Sequence, residues 1–133
     1  MSLKILLIDD DVDDQLIFSE IIEEISPDLQ CITARNGLEG LEKLAGMGPG
    51  PTMIFLDLNM PFISGWECLE RIRKDEKTKQ IPVVIMTTSD NQADKKRSLE
   101  LGAIAFVTKT ADLASLRQIV RKTLTAQVSF PGS

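Results

Sequence analysis

An α/β fold of the (βα)5 type, one doubly wound domain around a parallel five-stranded sheet, is what this sequence predicts. Three observations carry that prediction. Four apolar runs of four residues recur with almost no polar alternation, the pattern of strands buried on both faces. Stretches with the helical spacing of apolar residues lie between them. The length of 133 residues suits a single domain with its own core.

The elements follow in order. Ile5-Leu6-Leu7-Ile8 is the first strand, and Phe18, Ile21, Ile22 and Ile25 place one apolar stripe on the helix after it. Leu29-Gln30-Cys31-Ile32-Thr33 is more polar and suits an edge strand. Leu38, Leu41, Leu44 and Ala45 stripe a second helix that Gly46 ends. Met53-Ile54-Phe55-Leu56 is the third strand, followed by a helix marked by Trp66, Leu69 and Ile72. Val83-Val84-Ile85-Met86 is the fourth, and a helix with a thin apolar face runs from about Gln92 to Leu101 before Gly102. Ile104-Ala105-Phe106-Val107 is the fifth strand. Leu113, Leu116, Ile119, Val120 and Leu124 stripe the last helix, with Asp112 as its N-cap. The domain is expected over residues 3–125, leaving a short C-terminal tail at 126–133.

Composition excludes several functions. A net charge of −5 with no basic cluster argues against a nucleic-acid partner. No apolar run approaches the roughly 20 residues that span a bilayer, and no signal peptide opens the chain, so no membrane insertion and a cytoplasmic location are expected. Cys31 and Cys68 have no metal or redox spacing and read as reduced core or near-core thiols. The sequence has 0 histidines, which removes histidine-based triads and the usual zinc sites. Any phosphohistidine it meets belongs to a partner.

The polar residues worth most attention sit at strand ends. Asp9-Asp10-Asp11 follows the first strand, Asp57-Leu58-Asn59-Met60-Pro61 the third, Thr87-Thr88-Ser89 ends the fourth, and Thr108-Lys109 the fifth. With the flavodoxin-like order 2-1-3-4-5, ligands bind at the carboxyl ends between strands one and three, where Asp9, Asp10 and Asp57 converge. Two carboxylates 4 Å apart repel by roughly 4 kcal/mol at an effective dielectric of 20, so a proton or a cation must join them. All-oxygen ligands favour a hard cation, and a small site that keeps waters for an incoming phosphate favours Mg²⁺. Lys109 and the Thr87 hydroxyl then suit phosphoryl oxygens. Asp11 reads as the cap of the first helix, Asp14 as its capping-box partner, and Asp13 as a dipole-favoured acid.

Over roughly residues 3–125 the chain resembles the receiver domains of two-component signalling. The resemblance rests on Ile8-Asp9-Asp10-Asp11, on Leu56-Asp57-Leu58-Asn59-Met60-Pro61 with Ser64-Gly65, on Pro82 through Thr87, on Gly102-Ala103, and on Lys109. It implies a phospho-acceptor switch, not an enzyme in its own right. Asp57 would take phosphate from the phosphohistidine of a sensor histidine kinase or phosphotransfer protein. Mg²⁺ would be held by Asp10, Asp57 and the Asn59 main-chain carbonyl, with Asp9 acting through a water. Lys109 would pair with Asp57 or its phosphoryl group, Thr87 would bond a phosphoryl oxygen, and Phe106 would follow Thr87 and carry the signal outward. Asn59 and Ser89 flank the site and would tune the phosphate's lifetime.

Two positions depart from the family pattern. Thr110 replaces the usual proline after the lysine, which predicts a trans Lys109–Thr110 bond because a cis non-proline bond costs roughly 3 kcal/mol. Thr88 stands where a small residue is usual and narrows access to Asp57. The alternative function is a receiver-shaped interaction module that signals without phosphate. An enzyme on the same fold fits less well: no phosphate loop follows the first strand, and Asp57-Leu58-Asn59 lacks a second acid two residues on.

Overall fold

The computed structural model describes residues 3–48, 50–109 and 113–127. Five strands, β1 (Leu3–Ile8), β2 (Leu29–Ala34), β3 (Met53–Leu56), β4 (Val83–Thr87) and β5 (Ala105–Thr108), alternate with five helices. These are α1 (Val12–Ile25), α2 (Gly37–Ala45), α3 (Gly65–Lys74), α4 (Gln92–Glu100) and α5 (Leu113–Gln127). All strand pairs are parallel and the sheet order is β2-β1-β3-β4-β5, as expected.

The unbroken apolar runs make sense once the two faces are separated. Successive side chains in a strand point to opposite sides. Ile5, Leu7, Met53, Phe55, Val84, Met86 and Val107 therefore pack under α1 and α5, against Phe18, Ile22, Leu116, Val120 and Leu124. Leu6, Ile8, Ile54, Leu56, Val83 and Ile85 face the other way, against Leu44, Cys68, Leu69 and Ile72 of α2 and α3. Phe18 and Phe55 stack tilted, with ring centroids 4.8 Å apart. Cys31 and Cys68 are both free thiols, and burial pushes the Cys68 thiol up to about 12.

Four helix starts are closed by side chains. Asp11, Asn36, Ser64 and Asn91 accept main-chain N–H groups from Asp14, Glu39, Glu67 and Ala93. The expected Asp112 cap, like the Lys109–Thr110 bond, lies outside the described residues.

Three expectations change. Helix α2 is only partly as expected: Leu44 is buried and Leu41 packs on the core, but Gly37 and Gly40 complete the inward face, while Leu38 is 45% exposed and Ala45 is exposed. A Cβ on Gly40 would come within 2.4 Å of Ile8 and one on Gly37 within 2.6 Å of Ile63, so Gly40 sets how closely α2 lies on the sheet and Gly37 how closely it meets the segment leading into α3. Ile104 falls before β5 and is exposed, because β5 starts one residue later. Ile119 is also exposed, and α5 meets the core through Leu116, Val120 and Leu124.

Helix α4 buries only Ser98. Polar contacts hold its surroundings together instead. The Arg97 guanidinium lies 4.3 Å from the Trp66 ring centre. Arg73 of α3 donates to the carbonyls of Lys79, Ile81 and Gly102 at 2.8, 2.7 and 2.9 Å, tying the end of α4 to α3.

Candidate functional site

The register of the sheet brings the acids together. Ile8 pairs with Leu56 at the ends of β1 and β3, so the next residues, Asp9 and Asp57, leave adjacent strands side by side. Asp57 N–H donates to Ile8 O at 3.0 Å, and Asp9 N–H to Ala34 O at 3.0 Å. Lys109 arrives from the far side of the sheet, its main-chain N–H donating to Thr87 O at 2.6 Å.

Three of the predicted residues form one group. Asp9, Asp10 and Asp57 each bring a carboxylate oxygen within 4.8 Å of the others. Asp9 is fully buried and Asp57 6% exposed, whereas Asp10 lies open to solvent. This donor set is all oxygen, hard and anionic, which fits a hard divalent cation that keeps part of its water shell. Asn59 also belongs here, since its N–H donates to Asp57 Oδ1 at 3.3 Å.

Lys109 is the counter-charge. Its Nζ donates to Asp9 Oδ2 at 2.7 Å, Asp14 Oδ2 at 2.9 Å and Asp57 Oδ2 at 3.4 Å. The expected pairing with Asp57 is therefore present but is the longest of three. Burial opposes the charged lysine, yet the bonds to Asp9 and Asp14 and the charge of Asp57 hold its pKa above the ordinary value. Asp57 moves the same way for the opposite reason. Burial pushes its carboxyl up to about 6, Asp9's charge adds to the rise, and Lys109 and the Asn59 N–H only partly offset it. Asp9 is raised too, by burial, against the pull of Lys109 and of the Asp11 N–H.

Asp14 is the residue the sequence reading assigned only in part. Its N–H does donate to Asp11 Oδ1 at 3.0 Å, as a helix cap requires. The reciprocal half of a capping box is missing, because the Asp11 N–H donates to Asp9 Oδ1 at 3.0 Å instead. Asp14's carboxylate is thereby left for Lys109. No local spacing announces this contact, since it joins residues 95 positions apart.

The remaining predicted residues frame the site. Thr87 is fully buried at the end of β4, and its hydroxyl accepts the Ser89 N–H at 3.4 Å. Thr88 is exposed on the loop beyond it. The Ser89 hydroxyl donates to Asp94 Oδ2 at 2.9 Å, and Thr108 Oγ1 donates to Ser89 O at 3.1 Å. Ser89 thus joins the ends of β4, α4 and β5, a structural role that its position flanking the site did not reveal. Phe106 is partly buried, packed against the core face shared with α3.

The loop after Asp57 is tightly drawn. Gly65 N–H donates to Leu58 O at 2.9 Å, and a Cβ on Gly65 would lie 2.3 Å from Asp57 O and 2.5 Å from Leu58 Cα. Between them Phe62 takes a left-handed φ of 73° and stands 79% exposed.

Comparison with known proteins agrees with this geometry. The family model of the response regulator receiver domain matches residues 5–121. Response regulator Rcp1 of Synechocystis sp. is 35% identical over 122 residues, covering 88% of this chain and 83% of that protein. The Mn(2+)-bound form of Rcp1 superposes with a TM-score of 0.84 at 33% identity, covering 98% of this chain and 99% of that one. The phosphorylated cyanobacterial phytochrome response regulator RcpA superposes with a TM-score of 0.89 at 32% identity, covering 97% and 96%. Larger relatives share only a part: sensor histidine kinase CheAY of Helicobacter pylori is 30% identical over 90% of this chain but 15% of its own length. With the fold, the acid group and these matches in agreement, the chain belongs to the response regulator receiver domains of two-component systems.

Proposed function

We propose that Asp57 is the phospho-acceptor and that the acidic group around it works with Mg²⁺. The observation that carries this reading is a buried carboxylate, Asp57, set between two other acids and a shared lysine ammonium at the carboxyl ends of the sheet. Such a carboxylate is costly for a fold to bury unless something compensates its charge. Relatives whose structures are described as Mn(2+)-bound and as phosphorylated support both halves of the reading.

Asp10, Asp57 and the Asn59 main-chain carbonyl would hold the ion, with Asp9 acting through a water. Mg²⁺ supplies charge neutralisation of the acids and of the phosphoryl oxygens. Asp57 Oδ forms the new O–P bond while the P–N bond to the donor's histidine breaks, and the histidine nitrogen keeps that electron pair. Lys109 and the Thr87 hydroxyl stabilise the transferred group's oxygens. Phe106, paired with Ile85 of β4, couples Thr87 to the outer surface of α4, β5 and α5. The donor is a sensor histidine kinase or a phosphotransfer protein, and the chain acts in the cytoplasm as a switch, not as an enzyme on its own substrate.

Intact-protein mass after incubation with acetyl phosphate tests the reading. One phosphate adduct on the wild type in Mg²⁺, lost in chelator and in Asp57→Asn, is expected. An unmodified wild type in Mg²⁺ overturns it and leaves a receiver that signals without phosphate.

A further inference from the structure

One partner of Lys109 stands outside the metal-binding group. The ammonium has three N–H donors, and three carboxylates take them: Asp9 at 2.7 Å, Asp14 at 2.9 Å and Asp57 at 3.4 Å. Asp9 and Asp57 also belong with Asp10 to the group that can grip a cation, but Asp14 does not. Nor does the Asp14 side chain cap α1, because it is the main-chain N–H of Asp14 that Asp11 accepts.

We infer that Asp14 is a positioning residue that parks Lys109 on the α1 side of the site in the unphosphorylated state and releases it when Asp57 is phosphorylated. This rests on the reading of Asp57 as the phospho-acceptor. A phosphoryl group brings about −1.5 to −2 charges and three acceptor oxygens next to Lys109. The donor now aimed at Asp57, the longest of the three at 3.4 Å, passes to the phosphoryl group, and a second donor drawn by that group's charge and extra oxygens must leave Asp9 or Asp14. Asp9 is fully buried and would be stranded without a counter-charge. The Asp14 side chain is 36% exposed, so water can take over its hydrogen bond. Asp14 is the partner that gives way. Its carboxylate therefore stabilises the unphosphorylated state and restrains phosphorylation.

The test compares wild type, Asp14→Asn, Asp14→Glu, Lys109→Ala and the Asp14→Asn/Lys109→Ala double variant. With phosphoramidate and Mg²⁺ saturating for every variant, Asp14→Asn should raise the phosphorylation rate about three- to ten-fold, in the range of coupling between contacting charged groups. Asp14→Glu should return it toward the wild-type rate. In the Lys109→Ala background the effect of Asp14→Asn should shrink below about two-fold, since only the general loss of one negative charge is left. Slower phosphorylation in Asp14→Asn, or an equal gain in both backgrounds, overturns the inference.

A calorimetric Mg²⁺ titration without phosphodonor separates this inference from the reading beneath it. A lysine freed from Asp14 leans on Asp9 and Asp57, so Asp14→Asn should weaken Mg²⁺ about three-fold when Lys109 is present, and by less than about two-fold in the Lys109→Ala background, where only the loss of one negative charge acts. That result with an unphosphorylated wild type would sink the phospho-acceptor reading and leave the positioning role standing. Unchanged Mg²⁺ affinity with a phosphorylated wild type would sink the positioning role alone.

Discussion

Replacing Asp57 with asparagine removes a charge that the fold holds at a cost. Burial, with the Asp9 charge beside it, pushes the Asp57 carboxyl up to about 6 from an ordinary 3.8. The gap of about two units, at about 1.4 kcal/mol each, amounts to about 3 kcal/mol of destabilisation when Asp57 is ionised without a metal. The sign follows from proton counting. Between about pH 4 and pH 6 the folded chain holds a proton that the unfolded chain has released, so wild-type stability falls as pH rises through that window. Below it the penalty vanishes. Asp9, also raised, adds slope of the same sign, and Lys109 stays protonated throughout. Asparagine mimics the protonated carboxyl and pays no such cost. In chelator at pH 7–8, Asp57→Asn should therefore be more stable by about 3 kcal/mol, a rise in melting temperature on the order of 10 °C for a domain of this size. At pH 4 the difference should shrink to below about 1 kcal/mol. Saturating Mg²⁺ should raise the wild type selectively, by about 2.7 kcal/mol at 100 times its Kd. Urea melts across pH 4–8, with and without Mg²⁺, measure all of this. A variant no more stable than wild type at pH 7–8, or an advantage undiminished at pH 4, would refute the electrostatic reasoning.

Two further predictions concern the frame around the site. Gly65→Ala should destabilise by about 3 kcal/mol or more, because its Cβ would meet main-chain atoms of Asp57 and Leu58 at 2.3 and 2.5 Å, with no flexible side chain to give way. Urea denaturation checks this, and a cost below about 1 kcal/mol would mean the loop is looser than its geometry implies. Arg73→Ala should cost about 2–3 kcal/mol through the loss of its charged bonds to the carbonyls of Lys79, Ile81 and Gly102. Its amide exchange should also rise selectively around α4 and the turn before β5, as hydrogen-exchange mass spectrometry would show.

The sheet and most of the site were legible in the sequence because both depend on local order. A run such as Ile5-Leu6-Leu7-Ile8 without alternation implies cover on both faces, and the two core faces supply it. Polar residues that directly follow such runs must lie at the carboxyl edge, so Asp9, Asp10 and Asp57 converge once the strand order is right. Apolar spacing misled where small residues did the packing. Gly37 and Gly40 carry no hydrophobic signal, yet they, and not Leu38 or Ala45, are buried on α2, Gly40 against Ile8 of the sheet and Gly37 against Ile63. Asp14 was hidden for another reason. Its cap function is local, while its bond to Lys109 depends on the sheet order that brings the residue after β5 to the start of α1. Ser89 likewise joins Asp94 and Thr108 through contacts that only the assembled α4 region creates.

Chemical trapping reads whether phosphate arrives on Asp57 itself. After incubation with acetyl phosphate and Mg²⁺, borohydride reduction converts an acyl phosphate to the corresponding alcohol, so a phosphorylated aspartate becomes homoserine. Peptide mass mapping should find homoserine at position 57 and leave Asp9, Asp10 and Asp14 intact. Homoserine at any of those other acids, or none anywhere in a protein that carries phosphate, would contradict the account.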